Sequence, residues 1–413
     1  MFIRLDSWMD HPFLFSSFKI RNEKQLRVLR SLGLSEVVYA PGKSDVAPLP
    51  PPKPDAPTAP AAEIDPEVVA MMQAMREEKR ARREKISRQR EAYGRCEKQF
   101  VGSIATVKNL LRNLFARPQE SIEQAQTLIV EMVDSMLAEK DVLIHLMNAK
   151  TGDEGAYYHA LNVTMLALLL GREAGLKPAD MCALGLGTLL HDIGKERVPS
   201  QILLKKTAWT RAERNFYLQH VAYGVELASK LAALPAGVME VIGQHHEMLD
   251  GSGFPAAIGA ARIGKLARIA AIANAYDNAC NRVNPADSLT PAQALSVMFK
   301  RDRAKYDSEL MQHFVRCLGV YPPGSVVRLN NEAVGLVVSV NPSQLLHPTL
   351  LLYDPTVPKE EALLMDMADM PGLSVVSTIR PVDLPKPVFD YLSPRSRISY
   401  FSESTATARP QAR

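Results

Sequence analysis

The spacing of apolar positions changes character several times along the chain. Residues 1–40 alternate short apolar runs, PFLFSSFKI and VVYA, around the helically spaced KQLRVLRSLG, which predicts a small mixed α/β unit. That unit is too short to act alone as an enzyme. Residues 41–66 lose any period and hold nine prolines in 26 positions, a composition that removes backbone donors and favours extended polyproline geometry. We read this stretch as a semi-rigid linker, with a ligand for a proline-reading domain as the lesser alternative. From 67 to 139 Pro118 is the one proline, and Glu, Arg, Lys, Ala and Met dominate, so long helices are expected. Residues 140–320 keep a 3.6-type spacing and predict an almost wholly helical domain. After Tyr321-Pro322-Pro323-Gly324, the runs SVVRLNNEAVGLVVSV and PTLLLYD alternate like strands and predict a small antiparallel β unit over 321–392. The polar stretch 393–413 reads as a disordered tail. The expected fold class is therefore mainly α, a helical bundle core between a small N-terminal α/β unit and a small C-terminal β unit.

At 413 residues the chain can bury a sizeable core in two or three folded parts. Its 49 Lys and Arg against 45 Asp and Glu leave a net charge of +4, which gives no bulk electrostatic case for a nucleic-acid binder. Charge is uneven, however: residues 76–98 carry ten Arg or Lys and five Glu, a local net of +5. We read them first as a solvated helix with i, i+4 ion pairs and second as a basic surface for a partner. Cys96, Cys182, Cys280 and Cys317 show no CxxC spacing and suit reduced structural thiols. The longest apolar stretch, 161–170, is too short to span a bilayer, and Arg4, Asp6 and Asp10 interrupt any signal-peptide core. A cytoplasmic location is expected.

Seven of the nine histidines fall between His145 and His313, inside the helical segment. His159, the pair His191-Asp192, His220, the pair His245-His246 and Asp277 recur at intervals of one helical hairpin. A bundle of such hairpins brings one or two ligating side chains per helix into a common core. Imidazoles and carboxylates without clustered thiols suit iron, manganese, zinc or similar ions, and seven groups are enough for two metals. His145 and His313 sit in apolar helical contexts and are set aside as satisfied core or surface residues. His191 and Asp192 follow an apolar run, where burying an acid beside an imidazole is costly unless they are paired or coordinated.

LLHDIGK, QHVAYG, QHHEMLDGSGFP and AIANAYDNA, in this order, resemble the HD-GYP group of the HD metal phosphohydrolase superfamily over roughly 140–320. The opening WMDHPFLFSSFKI is similar to a small N-terminal domain of unknown function often attached to such proteins. The resemblance implies a helical HD-type bundle that hydrolyses the bacterial second messenger cyclic di-GMP to linear pGpG, GMP or both, through a hydroxide bridging two divalent ions, iron, manganese or similar. It implies His159 (in HALNV), His191, Asp192, His220, His245 and His246 as metal ligands, with Asp192 bridging both ions and Lys195 beside the substrate phosphate. Asp192 and Lys195 are then the catalytic pair. Asp250, Gly253 and Phe254 of the turn-rich DGSGFP loop, and Arg282, are expected to contact substrate. That loop or the N-terminal domain is also where protein partners would bind, and a homodimer is left open.

Four departures temper the match. Asn274 stands where the family has a first aspartate, so a neutral amide would replace a carboxylate ligand; Asp277 survives as a ligand or as a residue orienting one. Phe254 replaces the tyrosine of GYP and lacks its hydroxyl. Gly155 stands four residues before His159, where a third metal would call for a glutamate, with Glu154 one residue off; Arg282 is the lone arginine after the last aspartate. The alternatives are a weak or inactive cyclic di-GMP receptor or interaction module, and a phosphohydrolase for another nucleotide.

Overall fold

Strands β1 (Phe2–Arg4), β2 (Ser17–Lys19) and β3 (Val38–Tyr39) pair antiparallel in the order β2-β1-β3, with Ile3 opposite Phe18 and Tyr39. The computed structural model describes residues 1–5, 11–13, 17–20, 22–34, 36–45, 66–138, 144–147, 155–231, 234–340, 343–355, 357, 359, 362, 364–370, 372–394 and 397–402. Between β2 and β3 lies α1 (Glu23–Ser31), started by Asn22, whose side chain accepts the Gln25 N–H. Ile3, Leu5, Phe13, Val28 and Leu29 form its core, joined by Met71, Met72 and Met75 from the first turns of α2 (Pro66–Asn113). The α/β expectation for 1–40 thus matches the architecture. Most of the proline-rich stretch lies outside the described residues.

By its contacts the chain divides into a first unit, Met1–Glu91 with Asp354–Leu363, and a second, Ala92–Tyr353 with Leu364–Arg413. This partition differs from the expected one, because one continuous helix, α2, carries both the N-terminal unit's methionines and, from Cys96 on, residues of the second unit's core.

The second unit is a helical bundle: α3 (Pro118–Ala138), then after β4 (Ile144–Leu146) α4 (Gly155–Glu173), α5 (Pro178–Leu190), α6 (Ser200–Leu203), α7 (Arg211–Leu218), α8 (His220–Ala228), α9 (Ala236–Gln244), α10 (Lys265–Cys280), α11 (Pro291–Lys300) and α12 (Ser308–Leu318). Tyr158 through Gly171 of α4 are buried without interruption, as expected of an apolar helix packed on all sides. Among the described residues no helix is long and apolar enough to cross a membrane. The bundle is completed by a sheet of β5 (Val326–Leu329), β6 (Val334–Val340), β7 (Thr349–Leu352), β8 (Leu364–Asp366) and β9 (Val375–Ile379), followed by α13 (Lys386–Leu392) and β10 (Tyr400–Ser402).

Here the structure corrects two expectations. The β unit is not confined to 321–392, since its sheet runs β10-β4-β6-β5-β9 and takes β4 from between α3 and α4. Nor is 393–413 a disordered tail throughout, because Ile398, Ser399, Tyr400, Phe401 and Ser402 are buried. Tyr400 pairs with Leu146 and Phe401 with His145, so apolar residues hidden in a polar sequence close the sheet against the bundle.

Candidate metal centre

Three of the histidines stand where a helix runs out of backbone partners. His191 and His245 directly follow the last residues of α5 and α9, and His220 follows α7 at the start of α8. Each turns its Nδ1 back to a carbonyl three residues earlier: His191 to Thr188 at 2.6 Å, His220 to Tyr217 at 2.7 Å and His245 to Ile242 at 3.0 Å. A carbonyl only accepts, so Nδ1 carries the proton and the lone pair lies on Nε2. One local rule therefore aims three imidazoles, and all three point their Nε2 atoms at Asp192.

The two oxygens of Asp192 face different groups. Oδ2 lies 3.3 Å from Nε2 of His159 and 3.2 Å from Nε2 of His191. Oδ1 lies 3.5 Å from Nε2 of His220 and 3.9 Å from Nε2 of His245. Two candidate ligand sets result, His159-His191-Asp192 and Asp192-His220-His245-His246, each with its ligand atoms within 4.8 Å of one another. Asp192 Oδ1 and the Nε2 atoms of His220, His245 and His246 are buried without a hydrogen-bond partner. Four converging orphaned acceptors are unstable as an ordinary core and are what a divalent cation satisfies, so the residues fit a metal.

Electrostatics agree. Burial alone would raise the Asp192 carboxyl, but His191 and Lys195 beside it hold it well below the usual carboxylate range. Burial pushes His220 down, and His245 and His246 well down, keeping these imidazoles neutral and able to ligate. His159 is raised despite burial because Asp192 and Asp277 flank it. Burial would lower the Lys195 ammonium, but Asp192 and Tyr217 raise it, so it stays charged. Lys195 pairs with Asp192 Oδ2 from a 3₁₀ turn over Ile193–Arg197 and sits 5.6 Å from the centre of the Tyr217 ring. That turn lies flat on α8, since a Cβ on Gly194 would fall 1.9 Å from the His220 carbonyl oxygen.

Asp277 joins neither ligand set. Its Oδ2 bonds His159 Nδ1 at 2.5 Å, while Oδ1 accepts from the Asn162 amide and, at 2.7 Å, from Asn281. Of the two roles expected for it, these bonds match that of a residue that orients His159. Asn274 is buried on α10 with its Oδ1 accepting from Asn278 at 2.6 Å, so its carbonyl is already engaged within its own helix.

In the DGSGFP loop Phe254 stacks on His246, ring centres 4.3 Å apart and planes at 21°. Gly253 is obligatory, because a Cβ there would lie 2.4 Å from the Met248 nitrogen and 2.5 Å from the His246 carbonyl oxygen. Asp250 is spent on its own turn, accepting from Ser252 N at 3.0 Å and Ser252 Oγ at 2.6 Å. Arg282 is exposed in the loop after α10. Glu154 lies outside the described residues, and Gly155 opens α4. His145, set aside, lies in β4, and His313 on α12 near Glu173.

Sequence reading missed several contributors. Asn162, three residues after His159, and Asn281, four after Asp277, share a helix face with a residue already singled out, and that spacing was the available signal. Glu247, inside the quoted HHE run, accepts from Ala256 N at 2.8 Å and Ile258 N at 3.0 Å and so ties the loop down. Nothing local pointed to Ile398 or Tyr400.

The HD domain family matches residues 120–310, and a domain of unknown function, DUF3391, matches residues 1–125. Residues 120–310 are thus similar to HD domains. The chain is 29% identical over 84% of its length to Cyclic di-GMP phosphodiesterase PA4108 of Pseudomonas aeruginosa, covering 80% of that protein. It is 26% identical over 48% of its length to the cyclic di-GMP phosphodiesterase response regulator RpfG of Xanthomonas campestris, covering 53% of it. Among solved structures, an HD-GYP-type protein of Bdellovibrio bacteriovorus, Bd1817, aligns with TM-score 0.42 and 20% identity over 51% of this chain and 68% of that one.

Proposed function

We propose that this chain is a metal-dependent phosphodiesterase that hydrolyses cyclic di-GMP to pGpG or GMP with two divalent ions. The observation that carries the proposal is the sharing of Asp192 between two ligand sets whose buried atoms are orphaned. His159, His191 and Asp192 would hold one ion, and Asp192, His220, His245 and His246 the other. When bound, such a pair supplies a hydroxide at neutral pH and positive charge for the phosphate oxygens.

The protein's own groups prepare the rest. The buried, ionised Asp192 offers one oxygen to each side. Backbone carbonyls lock His191, His220 and His245 in one tautomer, so no proton has to leave Nε2 before it ligates. Lys195, held charged against Asp192, is placed to neutralise a phosphate oxygen or a departing alkoxide. Phe254 braces His246 and closes one side of the site. The relatives' names support cyclic di-GMP as substrate. Cys96, Cys182, Cys280 and Cys317 form no disulfide, which suits a reducing cytoplasm.

A second reading, a receptor that binds without turnover, is favoured by one observation: the neutral Asn274 amide, already engaged by Asn278, replaces a charged ligand. The deciding assay uses protein purified without chelator, supplied with Mn²⁺ or Fe²⁺, with metal content and cyclic di-GMP hydrolysis followed on one sample and 3′3′-cGAMP as comparison. Turnover lost in His191→Ala supports the enzyme. Two bound metals without turnover of either nucleotide support the receptor.

A further inference from the structure

The family match ends at residue 310, yet the hydrogen bonds around His159 continue into the last described residues of the chain. Asn281 reads the backbone of Ile398 on both sides, donating to its carbonyl at 2.8 Å and accepting its N–H at 2.7 Å, while also donating to Asp277 Oδ1. Asn162 does the same one residue pair on, accepting the Tyr400 N–H at 2.7 Å and donating to the Ile398 carbonyl at 3.3 Å and to Asp277 Oδ1. Both carboxamides face the same carboxylate oxygen and the same strand. Asp277 in turn holds His159 Nδ1.

The strand is itself pinned. Tyr400 is wholly buried, its hydroxyl bonded to the Tyr276 hydroxyl at 2.9 Å and to the Pro323 carbonyl at 3.2 Å. Arg397 donates to the Gly155 carbonyl at 3.0 Å, at the start of the helix that carries His159.

We infer that Ile398–Tyr400 is a positioning element of the metal centre: through Asn162 and Asn281 it fixes Asp277, and through Asp277 it sets the ring of His159 for the ion held with His191. This rests on the two-ion reading above. Asn162, Asn281 and the strand are positioning groups, since none reaches a ligand atom. The arrangement makes the far C-terminal segment, and whatever displaces it, a control on one half of the site. Because the coupling is a free energy shared between strand and ion, it acts in both directions.

The test uses Mn²⁺ as probe and the full chain. In a two-site titration, Asn281→Ala is expected to weaken one Mn²⁺ site by about 10-fold or more and leave the other unchanged. In a His246→Ala background, which disrupts the other ligand set, the remaining site should show the same loss. Equal weakening of both sites, or of neither, overturns the inference while leaving the two-ion reading intact. Absence of Mn²⁺ binding to the unmodified chain overturns both. Should Asn281→Ala fail to fold, amide hydrogen exchange of the unmodified chain decides: the Tyr400 N–H, which leaves the sheet to bond Asn162, should exchange more slowly when Mn²⁺ is added. Unchanged exchange overturns the inference.

Discussion

Replacing Asp192 by asparagine keeps its shape but removes the charge that two ligand sets share, and leaves an amide nitrogen facing one of them. Both ions should weaken together. Metal analysis of Asp192→Asn is expected to find less than one ion per chain, and turnover should fall on the order of 10³-fold or more, the worth of several kcal/mol of charge stabilisation. Asp277→Asn is a gentler change, because it disturbs a ligand's partner and not a ligand; kcat/KM should fall about 10- to 100-fold, with recovery at higher Mn²⁺. Recovery in both variants, or in neither, contradicts the distinct roles assigned to the two aspartates. A third residue shows chemistry outside the centre. His145 lies buried in β4 and burial pushes its imidazole down to about 4. Its folded value is below the unfolded one near 6.5, so its contribution is complete above pH 6.5 and disappears as pH falls towards 4, by about 3 kcal/mol at the acid end. His145→Leu should therefore flatten the fall of Tm between pH 6.5 and 4, and an equally steep fall would show that other groups set the acid limit.

Among the elements, the 3₁₀ turn over Ile193–Arg197 packs backbone to backbone against α8. The Gly194 position touches the backbone of α8 at His220 and Gly224, so the turn that presents Lys195 and the helix that presents His220 are seated as one piece. Gly194→Ala cannot be absorbed by a side-chain rotation, because its Cβ would meet backbone atoms 1.9 and 2.4 Å away. We expect destabilisation of about 3 kcal/mol and loss of the Lys195 placement together, read as a lower Tm and a lower kcat. A stable variant with normal kcat would show that the two elements are not coupled. This coupling also shows what was legible beforehand. The clustering of the candidate ligands was, because histidines recur beside apolar helix ends at hairpin spacing; the side chains of His159, His191, Asp192, His220, His245 and His246 come together in two groups that share Asp192. Contacts that depend on two helices meeting were not: Asp277 read equally as ligand or as support until Asn162 and Asn281 were seen to fill its second oxygen.

At the scale of the whole molecule, the division into helical core and β unit was visible in the change of period at Tyr321, but its meaning was not. The sequence pattern separates stretches of chain, whereas the sheet joins β4, between α3 and α4, to β10, about 250 residues later by number. Serine and arginine around Ile398, Tyr400 and Phe401 gave that segment a polar composition, although its three apolar side chains are all buried. Removing residues 397–413 should therefore act far more strongly than removal of a surface tail. Each of those three side chains is worth about 2 kcal/mol when buried, roughly 6 kcal/mol together, which is comparable to the whole stability of many domains. The deletion also uncovers Tyr276 and leaves β4 without its Tyr400 and Phe401 partners. A chain ending at residue 396 is expected to lose at least about 10 °C in Tm, whereas Tyr400→Phe, which gives up only the hydroxyl bonds, should lose about 1 kcal/mol. If the shortened chain melted with the unmodified one, the C-terminal strand would be a passive edge and the second unit's core would end with α13. The predicted gap between deletion and Tyr400→Phe therefore measures the packing that makes this segment part of the bundle.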